Sequence, residues 1–70
     1  MLTDVKLKKI YILKKEIERL FRENIIDKPT RNVLIEQASN YMENEIYIDT
    51  FEYLRKIDKE LEQKGAYNNI

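Results

Sequence analysis

The side chains Glu43, Glu45, Asp49 and Glu52 form the densest acidic cluster in this chain, and carboxylates could do chemistry. Paired carboxylates serve as acid and base in glycoside hydrolysis, and clustered ones hold hard cations. Neither reading finds the rest of its machinery here. The chain has no histidine and no cysteine. That removes the commonest general base and the thiol nucleophile, together with the usual ligand sets of zinc, iron and copper. An EF-hand loop needs alternating Asp or Asn ligands and a glycine at its sixth position, and residues 40–52 contain no glycine. Gly65 is the one glycine in the sequence, so no glycine-rich loop can cradle a nucleotide phosphate. A chain of 70 residues also has little room for a pocket of roughly 300–1,000 Å³. The expectation is a non-enzymatic protein with no metal, no cofactor and no small-molecule substrate.

Basic side chains are the next candidates. Lys6, Lys8, Lys9, Lys14, Lys15, Arg19 and Arg22 crowd the N-terminal third, and phosphate contacts supply most non-specific affinity for nucleic acid. Glu16, Glu18 and Glu23 interrupt them, and the pI is about 6.3. A helix-turn-helix joins its two helices by three or four residues, whereas roughly five separate the second and third segments here. A small dimeric DNA-binding regulator is therefore the alternative reading rather than the leading one. No apolar run approaches the ~20 residues of a membrane span, and none resembles a signal-peptide core. A cytoplasmic protein is expected. The abundance of Lys, Ile, Asn and Tyr points to an AT-rich coding genome, bacterial or phage.

Three amphipathic segments carry these side chains. The first is expected over about residues 4–24, with Thr3 as N-cap and Asp4 complementing the helix dipole. Ile10, Leu13, Ile17, Leu20 and Phe21 fall within about a third of a turn of one another at ~100° per residue. Asn24 either continues an a/d spacing or ends the helix. Pro29 breaks the chain at residues 26–30. The second segment runs over about 30–44, with Leu34, Ile35, Tyr41 and Met42 grouped around Ala38 and Val33 pointing elsewhere. The third is expected over about 50–64. Asp49 and Glu52 form a capping box there, Ile48 and Tyr53 a hydrophobic staple, and Gly65 a left-handed stop. Its stripe reads Tyr53, Leu54, Ile57 and Leu61. Residues 45–48 read as a connector of β-prone composition, and residues 66–70 as a frayed tail. Glu18 with Arg22, Glu52 with Lys56 and Glu60 with Lys64 stand in the favoured i,i+4 order.

The fold class that follows is all-α: a three-helix bundle, or a long helix with a helical hairpin against it. One feature exceeds what such a core can cover. Leu7 and Tyr11 lie on one flank of the first helix, and Val5 and Ile12 on the other. These four are the expected protein-interface residues. A domain of this size without disulfide or metal is marginal alone, and oligomerisation is the remaining staple. Residues 1–31 carry nine Lys or Arg against five Asp or Glu, and residues 32–70 four against eight. A homodimer, a protein partner or both are expected on the first helix, in the helix-in-groove manner of a small regulator, adaptor or inhibitor.

Overall fold

A computed structural model describes residues 3–43 and 51–68. The described residues fold into α1 (Asp4–Arg22), α2 (Lys28–Glu43) and α3 (Glu52–Gln63), with no strand among them. The chain is all-α, and no described helix is long and apolar enough to cross a membrane.

Each boundary has a local cause. Thr3 is extended and its hydroxyl accepts the Lys6 amide at 3.1 Å, which caps α1. The helix ends at Arg22, two residues before the expected boundary, because Asn24 turns left-handed with φ 60°. Asparagine adopts this conformation at little cost. Its amide donates to the Phe21 carbonyl at 3.0 Å and the Ile25 amide to the Leu20 carbonyl at 2.9 Å. Those are the paired closing bonds of a Schellman motif.

The break at 26–30 is sharper than proline alone would make it. Asp27 is the N-cap of α2: its Oδ1 accepts the Thr30 amide and its carbonyl the Arg31 amide, both at 2.9 Å. Pro29 then sits in the first turn, where a missing N–H leaves nothing unpaired. The helix consequently starts at Lys28 rather than near residue 30. Thr30 holds the Asp27 carboxyl below the usual carboxylate range, first through its hydroxyl and then through its amide.

α1 and α2 run antiparallel and share the longest interface, with Glu18 facing Arg31 near their common turn. α3 closes the third side. The core gathers Ile10, Leu13 and Ile17 from α1, Leu34 and Ala38 from α2, and Leu54, Ile57 and Leu61 from α3. Ile26 and Phe51 complete it from the flanking turns. Leu20, Phe21, Ile35, Tyr41 and Met42 pack on its margin, and Val33 is exposed, as the wheel for α2 requires.

The structure corrects the reading of α3 at three points. Tyr53 is 40% exposed and outside the core, since it stands about 100° round the helix from Leu54. Phe51 takes its place, buried edge-on against the Tyr41 ring at 5.7 Å. The helix starts at Glu52, not near residue 50. Asp49 of the proposed capping box, Ile48 of the staple and the 45–48 connector all lie outside the described residues. The segment after α3 also differs from a frayed tail. Gly65 stops the helix at φ 76°, with the Ala66 amide donating to the Leu61 carbonyl at 2.9 Å. Tyr67 is then brought back, half-buried, against the core.

Candidate protein-docking surface

The four expected interface residues occupy two different places. Leu7 and Tyr11 are i,i+4 neighbours on the flank of α1 that faces α2, and they are 49% and 62% exposed. Val5, 49% exposed, lies on the opposite flank together with Ile12. Ile12 is not free: it is half-buried and packs against the core. The four residues therefore do not make one patch. Leu7 and Tyr11 make one, and Val5 stands apart from it.

Tyr11 opens into a feature that the helical wheel of α1 alone does not reveal. Between α1 and α2 runs a shallow open groove of about 490 Å³, lined by Tyr11, Lys14, Lys15, Glu18, Arg22 and Ile35. Five of these come from one stripe of α1, and Ile35 comes from the facing side of α2. The groove surface is mostly apolar, and its charged side chains have unequal roles. Glu18 Oε1 lies 2.8 Å from Arg31 Nε and Glu18 Oε2 accepts from Arg31 Nη2 at 3.5 Å, so the carboxylate is neutralised from α2. The expected pairing of Glu18 with Arg22 is replaced by this interhelical one. Arg31 also lies over the Phe21 ring, with Cζ 5.3 Å from its centroid. Lys15 Nζ sits 5.3 Å from the Tyr11 centroid. Lys14, Lys15 and Arg22 have no carboxylate partner among the described residues.

Three other charged side chains of α1, Glu16, Arg19 and Lys9, have partners away from the groove. Arg19 Nε donates to Glu16 Oε1 at 2.6 Å and Arg19 Nη1 donates to Glu23. The Arg19 contact holds the Glu16 carboxyl below its ordinary range despite an opposing desolvation, and pushes the guanidinium up in turn. Lys64 Nζ approaches Glu16 Oε2 at 3.9 Å, so it serves α1 rather than Glu60. Lys9 Nζ lies 5.2 Å from the Tyr67 centroid.

A second, smaller depression of about 290 Å³ at the start of α2 is lined by Pro29, Thr30, Val33 and Leu34. It carries no charge and no unusual group. Of the acidic cluster, Glu43 and Glu52 are exposed on the ends of α2 and α3, and Glu45 and Asp49 lie outside the described residues. No group of three or more potential metal ligands occurs among the described residues.

Sequence reasoning located the Leu7–Tyr11 flank and missed the other wall of the groove. Ile35 belongs to the core stripe of α2 by its spacing, but it stands at the edge of that stripe and is only half-buried. No family model, no curated protein and no solved structure matches this chain.

Proposed function

We propose that this chain is a small protein-interaction module that presents the α2-facing flank of α1 to a protein partner. The observation that carries the reading is the exposure of Leu7 and Tyr11 beside an open, mainly apolar groove. Tyrosine is an effective anchor in such a position, since it offers a large rigid area at low entropic cost and tolerates water at its hydroxyl. The partner docks a helix in the groove, or packs a helical face across it. No catalytic step enters the reading, and the named side chains act through burial and charge alone.

A homodimer through α1 is the second reading, and the exposed Val5 on the other flank favours it: one occupant of the groove leaves that residue uncovered. Solution mass as a function of concentration tests both, with helicity followed in parallel. Leu7→Asp combined with Tyr11→Asp should leave the helicity intact and abolish the association. If self-association and capture of a partner both survive those substitutions, the surface is misassigned.

A further inference from the structure

The groove between α1 and α2 is set up for an occupant of one charge sign. Its lining combines the apolar surface of Tyr11 and Ile35 with three cations, Lys14, Lys15 and Arg22. The one carboxylate in the lining, Glu18, is already neutralised by Arg31 at 2.8 Å. The lining is thus net cationic, in a chain whose formal net charge is +0. From Tyr11 to Arg22 the stripe advances by eleven residue steps, or about 16 Å at ~1.5 Å per step. That is the length of roughly three helical turns. The notch between two antiparallel helices guides a third along its axis, as ridges seat in grooves.

We infer that the α1/α2 groove binds an acidic amphipathic helix of another protein, which sets one apolar side chain against Tyr11 and Ile35 and flanking carboxylates against Lys14, Lys15 and Arg22. The inference rests on the proposed interaction role and names the chemistry of the partner. A second copy of the chain fits less well. Two such grooves facing each other would bring six cations together around two carboxylates that each already have a guanidinium partner, and like charges in apposition oppose association. A nucleic acid would meet the cations but has no use for the tyrosine and isoleucine surface on its phosphate side.

The test uses two synthetic helical peptides of about four turns, with leucines at i, i+4 and i+7. One is flanked by glutamates and the other by lysines in the same positions. Binding to the full chain is followed by residue-resolved NMR. The acidic peptide should move the resonances of Tyr11 and Ile35 and bind at least about tenfold more tightly than the basic one, a difference of ~1.4 kcal/mol. Lys14→Glu with Lys15→Glu should invert that preference, and Lys14→Gln with Lys15→Gln should weaken it without abolishing it, since Arg22 remains. Circular dichroism of each variant reports that the fold persists. An inverted preference is not what a merely structural role of the two lysines would give.

Equal binding of both peptides, or none, overturns the acidic occupant. So does self-association that perturbs Tyr11 in the absence of peptide, which makes the second copy the occupant. Preferential binding of a DNA duplex that weakens steeply between about 50 and 200 mM salt overturns it as well. The wider interaction role fails separately, when Leu7→Asp and Tyr11→Asp change no association of the chain at all.

Discussion

The Tyr67 hydroxyl donates to Asp58 Oδ1 at 2.7 Å, nine positions back along the chain. Tyr41 donates to the other oxygen, Oδ2, at 2.9 Å from α2. One carboxylate thus joins the second helix, the third and the turn that follows it. Hydrogen bonds to a charged acceptor contribute more than neutral ones, roughly 1.5–3 kcal/mol when buried and less at a half-buried site. Tyr67→Phe should therefore cost about 1 kcal/mol in urea unfolding, and Asp58→Ala about 2 kcal/mol, since it leaves two hydroxyls without their acceptor. Tyr41→Phe and Tyr67→Phe share that acceptor, so their double-mutant cycle should be non-additive.

Alkaline pH should act through the same two tyrosines. Burial, then the hydrogen bond to Asp58 and its charge, push both phenols well above the ordinary tyrosine value. A group whose folded pKa is raised gives stability that is complete below the unfolded value of about 10 and lost as pH climbs toward the folded one. Titration by tyrosinate absorbance should show part of the signal appearing only as helicity is lost. Replacing Tyr41 and Tyr67 with Phe should remove that coincident fraction.

Acid acts with the opposite sign. Glu16, held low by Arg19, and Asp27, held low by Thr30, have depressed folded values. Their contribution is present above the unfolded carboxylate range, about 4.5 for Glu16, and is lost as pH falls through the lower folded values. Glu16→Gln should be less stable than the parent at neutral pH, and the difference should close as the solution is acidified. A constant difference down to the acid transition would show that Glu16 contributes by packing and not by charge.

The two left-handed helix ends should respond in opposite directions. Gly65 is at φ 76°, and a Cβ there would stand 2.7 Å from the side-chain Nδ2 of Asn68. Gly65→Ala should destabilise by about 1 kcal/mol, partly relieved because the Asn68 side chain can move. Asn24 at φ 60° is the mirror case, and Asn24→Gly should leave stability unchanged or raise it by a few tenths of a kcal/mol. Thermal unfolding of the two variants side by side checks both signs.

A buried methylene deletion gives the scale for the core. Leu54→Ala empties a position with 0% exposure and should cost about 2–5 kcal/mol, enough to unfold much of so small a domain. Val33→Ser, on the exposed side of α2, should stay within about 0.5 kcal/mol in chemical unfolding.

These positions also show what was legible in the sequence. The helices and the stripes through Leu13, Ala38 and Ile57 were, because a 3.6-residue period is local information, and so was the left-handed stop at Gly65. The cap at Asp27 had a local signal too, an aspartate three residues before Thr30 with proline in the first turn, which the break at Pro29 masked. Tyr67, Phe51 and the Glu18–Arg31 pair depend on how helices dock, and no spacing within one helix encodes that. The candidate surface divides in the same way. Leu7 and Tyr11 could be read from α1 alone, whereas Ile12 proved to be packed against the core and Ile35 became a groove wall only through the pairing of α1 with α2.

The most direct measurement of the central claim places a photo-crosslinking amino acid at position 11, in the groove, and in a second variant at position 59 on the exposed side of α3. Both variants are irradiated in the cells that make the protein. A discrete adduct is expected from position 11, none from position 59, and loss of the adduct when Lys14 and Lys15 are changed to glutamate. Equal adducts from both positions, or none from position 11, would contradict the claim.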